Sequence, residues 1–399
     1  YNENCLVNVA ALGLLKSSDI IRSSTPQAAK NEPYDVILFG KSTDATGFGG
    51  AAFSSEILDD SSQNLGAVQV HDPFLKRVIV EAMNVLFKRV KDWGIEIGCK
   101  DLGAGGISCA ASELASASGF GVKLNLDDVN VAIQNLAAEV IACSETQERF
   151  CVVVPRTHSQ QVLDIFNVEF ELPKLYEAAG ASVIGEIMTS PHFEMHHKGA
   201  LVCDIPIGMI TTDVLVPREA KATAKNTQAD PSLSVKESDL EAIMLAISSH
   251  DMCCSKRYVY RFYDQAVRGD TVAYPGEVGA VVVKPIEGSD VGCAVSMDSN
   301  TYGEFEPYLA GASAVCESVR NVISTGARPI ALTDCLNYGS PENPEVFWGF
   351  KEGVRGISEA AETLSLIAGE AIPIISGNVS LYNQSKAGNS VVPSPVVCC

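Results

Sequence analysis

Apolar and polar positions change period several times along the chain, and each change marks an element. Leu75, Val78, Ile79, Ala82, Met83, Leu86 and Val90 recur at helical spacing, with Lys76, Arg77, Lys88, Arg89 and Lys91 on the opposite, solvated face. Asp72 and Pro73 just before them form a helix-start signature, so the spacing predicts a helix from there to about Trp93. A second long helix is predicted over 309–325, on Ala314, Val315, Val319, Val322 and Ile323, and it ends at Gly326. Further helices are predicted over 108–118, 132–143, 159–166, 240–248 and 345–365. Short apolar runs predict strands over 34–40, 96–100, 122–126, 150–154, 182–186, 278–283 and 293–297. One more strand leads to Asp334, and a buried one is expected over 372–376. Helices interleaved with strands make the fold class α/β, of the α+β kind with mixed sheets.

Between 214 and 239 the pattern stops. This stretch has almost no large apolar residue after Val216 and reads as a linker. At 399 residues the chain is expected to hold two or three domains.

Composition narrows the function. A formal charge of −20 argues against a nucleic-acid partner, because a phosphate backbone repels an acidic surface. A phosphate ligand stays compatible where backbone N–H groups and a metal supply local positive field. The 13 cysteines show no CxxC or Cys/His metal spacing and read as reduced thiols of a cytoplasmic protein. No apolar run is long enough to span a bilayer, so no membrane partner is expected. The chain begins at Tyr1 without Met and stops soon after a strand-like run. It is expected to be an internal piece of something longer.

The stretch KDLGAGGISCAASE, 100–113, is the first candidate for chemistry. Asp101 stands at a strand end, then Gly103, Gly105 and Gly106 precede a helix start. Glycines let the backbone approach a ligand, helix N–H groups suit an anion, and a carboxylate there suits a hard cation such as Mg²⁺. A tight turn with a solvated Asp gives the same pattern. The loop 41–50, with Gly47, Gly49 and Gly50 before a small-residue segment over 51–58, reads as structural. His71 reads as exposed or structural rather than catalytic. Glu145, Gln147 and Glu148 stand just before a strand and face either a pocket or water. Asp334 and the turn 377–380 both follow strands, which suits two walls of one ligand site.

The motifs VQVHDPF, DLGAGGIS, SETQER, ALTDCLNYGSPENPEVFW and SGNVSLYN occur in that order. Together they resemble the small form of phosphoribosylformylglycinamidine synthase, over nearly the whole chain. The resemblance implies the aminoimidazole ribonucleotide synthetase-like fold, doubled, here incomplete at both ends. It implies these domains: 1–34, the tail of a first ATP-side domain; 35–212, the first C-terminal-type domain; 213–239, a linker; 240–390, the second ATP-side domain; and 391–399, the start of a truncated last domain.

Site roles are carried by the same motifs. Gln69, Glu145, Thr146, Gln147 and Ser380 are implied substrate contacts, with Thr146 where the family usually has Ser. Asp334 and Gly377 are implied ATP contacts, and Asp101 and Asn378 implied Mg²⁺ ligands. His71 replaces the usual Gly before Asp-Pro, and Val278 stands where an Asp is usual. The implied reaction converts formylglycinamide ribonucleotide, ATP and glutamine-derived ammonia into the amidine, ADP and phosphate, through a phosphorylated amide. Implied partners are a separate glutaminase subunit and a small bridging subunit. The family's catalytic His residues are expected upstream of Tyr1, so these 399 residues alone are expected to be inactive. The alternatives are another ATP-dependent synthetase of the superfamily, of selenophosphate or aminoimidazole ribonucleotide type, or a catalytically incomplete nucleotide-binding scaffold.

Overall fold

A computed structural model describes residues 6–50, 69–212, 216–223, 235–251, 253–300, 302–364, 369–384 and 389–399. They form two compact units, one on 15–216 and one on 6–14 with 217–399, as far as these are described. The small-residue segment expected over 51–58, Val68 of the first motif and much of the linker lie outside the described residues.

The first unit is organised on β1 (Tyr34–Gly40), in which every residue is buried. Its neighbours are β2 (Gly98–Asp101), β3 (Gly121–Asn125), β4 (Arg149–Pro155), β5 (Gly180–Met188), β6 (His192–His197) and β7 (Ala200–Pro206). They make one sheet in the order β2-β4-β1-β5-β3-β6-β7, antiparallel throughout except for the parallel pair β3–β6. Alternation along β1 feeds two cores. Val36 and Leu38 join one cluster, Ile37 and Phe39 the other.

Helix α1 (Pro73–Trp93) covers the second of these faces with Leu75, Ile79, Ala82, Leu86 and Val90, the stripe its spacing predicts. Asp72 caps its start by accepting from the Leu75 amide at 2.9 Å, and Gly94 ends it in the left-handed region at φ 66°. The basic face of α1 is partly ion-paired: Arg89 with Glu169 at 2.5 Å and Lys91 with Asp19 at 2.7 Å. Helix α2 (Gly106–Ser116) covers the other face with Ile107, Ala110, Ala111, Leu114 and Ala115. The helix expected over 132–143 is shorter, α3 (Ala138–Cys143), because the Ala132 amide bonds instead to the Thr43 carbonyl at 2.8 Å. Residues 15–34 pack onto this unit, with Thr25 donating from both its amide and its hydroxyl to the Leu114 carbonyl.

In the second unit β8 (Thr271–Ala273), β9 (Val281–Val283) and β10 (Cys293–Val295) form a small antiparallel sheet. A second sheet has the order β11-β14-β12-β13, from β11 (Met297–Asp298), β12 (Leu332–Asn337), β13 (Ile374–Ser380) and β14 (Ser394–Cys398). Helices α5 (Pro307–Ser324) and α6 (Pro344–Thr363) follow α4 (Leu240–Ser249) and pack against each other through glycine. A Cβ on Gly311 would lie 2.1 Å from the Gly353 carbonyl oxygen.

Three expectations change here. Asp334 lies within β12 and not at its end, and 377–380 is strand, not turn, because β12 and β13 pair in parallel up to Asn337 and Ser380. The run expected as a buried strand from 372 is an edge strand starting at Ile374, with Ile375 71% exposed. Ser394–Cys398, β14, pairs with β12 on one side and β11 on the other.

Gly106 sits at φ 56°, and a Cβ there would lie 2.2 Å from the Ser144 carbonyl oxygen. Gly103, in the same loop, would meet nothing within 4 Å. Gly106→Ala is therefore expected to lower stability by about 1–3 kcal/mol, and Gly103→Ala by much less. Thermal unfolding of the two variants side by side checks this, and equal melting temperatures would refute the close approach.

Candidate functional site

Loop, helix start and strand entrance are drawn together in the first unit by Arg149. Its guanidinium is 1% exposed and donates three ways: to the Thr146 carbonyl at 2.9 Å, the Ser144 carbonyl at 2.6 Å and the Thr43 hydroxyl at 2.8 Å. Burial pulls it down to about 10, so it stays charged at neutral pH. The turn 144–148 is thereby fixed at the mouth of β4, and Gly106 lets the DLGAGG loop sit against Ser144.

On this turn three of the sequence-predicted residues converge. The Gln69 amide donates to Glu145 Oε2 at 2.7 Å and accepts from Gln147 Nε2 at 2.6 Å. Gln69 is 76 and 78 positions away from these partners, so the fold and not local sequence makes the chain of bonds. Glu145 is 5% exposed and Thr146 fully buried, while Gln69 is open to solvent. Thr146 turns inward, its hydroxyl engaged by Asp44 at 2.9 Å.

Asp101 is the last residue of β2 and exposed. Its neighbour Lys100 pairs with Glu113 at 2.5 Å, while the Asp101 carboxylate has no ion-pair or hydrogen-bond partner among the described residues. His71 is exposed, as expected. No group of three or more His, Cys, Asp or Glu among the described residues is placed to hold a metal by itself.

The second unit carries a separate cluster. Asp334 and Gly377 face each other across the β12–β13 pair, with Asn378 next along the strand. They line a cavity of about 240 Å³ with Thr333 and Ser376. Residues Asn8 and Ala11 also line it, and no site role was expected of any residue in that opening segment. Asn8 accepts from Asn337 Nδ2 at 3.2 Å, a bond between residues 329 positions apart. Burial holds the Asp334 carboxyl above its usual range, and no cation offsets it among the described residues. Ser380 does not line this cavity; it ends β13 and is held by the Asn383 side chain at 3.1 Å. Val278 is exposed, just before β9.

No helix among the described residues is long and apolar enough to cross a membrane.

Residues 32–198 match the C-terminal domain of AIR synthase related protein, and residues 276–398 match the N-terminal domain. The phosphoribosylformylglycinamidine synthase subunit PurL of Methanothrix thermoacetophila is 44% identical over 404 aligned residues, which take in 100% of this chain and 52% of that protein. The subunit of the same name from Methanothermobacter thermautotrophicus is 37% identical over 401 residues, again 100% of this chain and 52% of its own length. Among solved structures, Thermotoga maritima PurL complexed with FGAR superposes with a TM-score of 0.72 at 26% identity, covering 96% of this chain and 56% of that one. Thermotoga maritima PurL complexed with ATP gives 0.70 at 25% identity, covering 96% and 55%. This chain spans about half the length of the curated relatives it matches. With both domain types present and relatives aligned from end to end, the chain belongs to the AIR synthase related family, among its phosphoribosylformylglycinamidine synthase PurL members.

Proposed function

We propose that this chain contributes to the ATP-dependent conversion of formylglycinamide ribonucleotide into the amidine, with ammonia derived from glutamine. The observation that carries the reading is the bonded chain Gln147–Gln69–Glu145. An amide that donates on one side and accepts on the other, beside a carboxylate and exposed to solvent, suits the amide and hydroxyl groups of such a substrate. That relatives named for the synthase align along the whole chain supports it.

The nucleotide belongs with the Asp334–Gly377 cavity. The absence of a side chain at Gly377 leaves room next to an unpaired carboxylate, and a Cβ there would lie 2.6 Å from Asp334 Oδ1. Thermotoga maritima PurL is known in complex with ATP, which accords with this assignment. Asp101, in the first unit, and Asn378, in the second, would each offer an oxygen ligand of the kind Mg²⁺ takes. When bound, that ion offsets phosphate charge during transfer. ATP phosphorylates the amide oxygen of the substrate, and ammonia then displaces the phosphate. Glu145 and Gln69 hold the substrate in place for both steps. Ser380 is assigned to the substrate by its motif alone. A glutaminase subunit and a small bridging subunit supply the ammonia, and a cytoplasmic location belongs to the same reading.

The test is a direct assay. Protein of full length carrying this chain is expected to form ADP and the amidine only when ATP, the formylated ribonucleotide and ammonia or glutamine are all present. Turnover without the ribonucleotide, or none with it, refutes the reading.

Two variants refine it. Gln69→Ala removes both hydrogen bonds and is expected to raise the Kd for the ribonucleotide about tenfold or more, measured by calorimetric titration. Asp334→Asn is expected to weaken nucleotide binding and raise the melting temperature together. The sign follows from its raised pKa: ionisation costs stability in the folded state, and a neutral amide removes that cost. A lower melting temperature, or undiminished nucleotide affinity, contradicts this.

A further inference from the structure

The loop 41–50 reads from sequence as structural, yet Lys41, Asp44 and Gly47 meet the turn 144–148, and Thr43 meets the adjoining Arg149. The Lys41 amide donates to the Glu148 carbonyl at 3.0 Å, and Thr43 takes a bond from Arg149. The Asp44 amide donates to the Thr146 hydroxyl at 3.1 Å, and that hydroxyl in turn donates to Asp44 Oδ1 at 2.9 Å. Gly47 lies so close to Glu145 that a Cβ would sit 2.8 Å from its Cβ. The hydroxyl of Thr146 thus has its proton and a lone pair committed to Asp44, in a residue that is fully buried.

Asp44 is itself fixed. It accepts from the Thr46 amide at 2.9 Å and the Thr46 hydroxyl at 2.5 Å, and Lys41 Nζ stands 3.5 Å from its other oxygen. Burial pushes its carboxyl up, but the bonds from Thr46 and Thr146 and the charge of Lys41 together hold it below the usual range. It is a rigid anchor.

We propose that Asp44 is the positioning residue of the substrate triplet, acting through a Thr146 hydroxyl that does not itself touch the ligand. Glu145 and Gln147, on either side of Thr146, then make the contacts, and loop 41–50 sets where they point. This rests on the reading that those two residues bind formylglycinamide ribonucleotide.

A double-mutant cycle on the full-length protein tests it, with Asp44→Ala, Thr146→Val and the pair together. Two readouts are taken: amide hydrogen exchange of 144–148 without ligand, and titration with the ribonucleotide. Each single variant is expected to speed exchange at 144–148 and to raise the Kd about tenfold. The double variant is expected to be no weaker than either single one, and Thr146→Ser, which keeps the hydroxyl, to recover most of the affinity. If Asp44→Ala binds normally while Thr146→Val does not, or if the two effects add, the hydroxyl touches the ligand and the proposal falls. Unchanged exchange in both single variants also overturns it. Altered exchange in a protein whose unsubstituted form binds no ribonucleotide would keep the clamp and discard the substrate reading instead.

Discussion

The first unit depends on one buried cation. A guanidinium removed from water is costly unless its N–H groups find partners, and Arg149 meets two carbonyls and a hydroxyl rather than a carboxylate. Neutral acceptors return less energy than an ion pair would, which is why burial still depresses its pKa. What they give is direction. The planar fork fixes two carbonyls of one turn and the start of loop 41–50 at once, and such a three-way fit leaves each little freedom. Without Arg149 the carbonyls of Ser144 and Thr146 would be orphaned, and each buried orphan costs about 1–3 kcal/mol.

Asp334 in the second unit is the opposite case. It too is a partly desolvated charge, but no fork of donors meets it, and its carboxyl stays above the ordinary range. The two charges therefore differ in what they do. Arg149 is compensated within the chain and serves the scaffold, whereas the Asp334 carboxyl is left without a compensating cation among the described residues. Motifs alone cannot draw this distinction, since both residues sit in equally distinctive stretches.

Periodicity made much of the first unit legible. The stripe on α1, its Asp-Pro start and the buried run of β1 follow from spacing and local chemistry, which depend on near neighbours. Gln69, Glu145 and Gln147 were named from motifs, but that they bond to one another depends on partners 76 and 78 residues away, which no local pattern encodes. The same limit hid Asn8 and Ala11 at the Asp334 cavity. Loop 41–50 was read as structural because its glycines are visible in the sequence while its contacts with Thr146 and Glu145 are not. The strand expected over 372–376 was ended too soon for a related reason: Gly377 and Asn378 are poor strand formers, and pairing with β12 overrides them.

That override rests on register. Leu332 pairs with Ile374, yet Thr333 pairs with Ser376, so β13 holds one extra residue at Ile375. Bulges of this kind re-aim the residues that follow. Without it Asp334 would face Ser376, whose Cβ and hydroxyl would occupy the space that Gly377 leaves open. With it the carboxylate meets the one residue on β13 that has no side chain, and a Cβ there would already be within 2.6 Å of Oδ1. Ile375, 71% open to solvent, shares its exposure with Ile374 and Val379 along this edge strand. The shift lets an acid stand beside a glycine, and a change that removed the bulge would set Ser376 against Asp334 and fill that space while leaving every motif residue in the sequence.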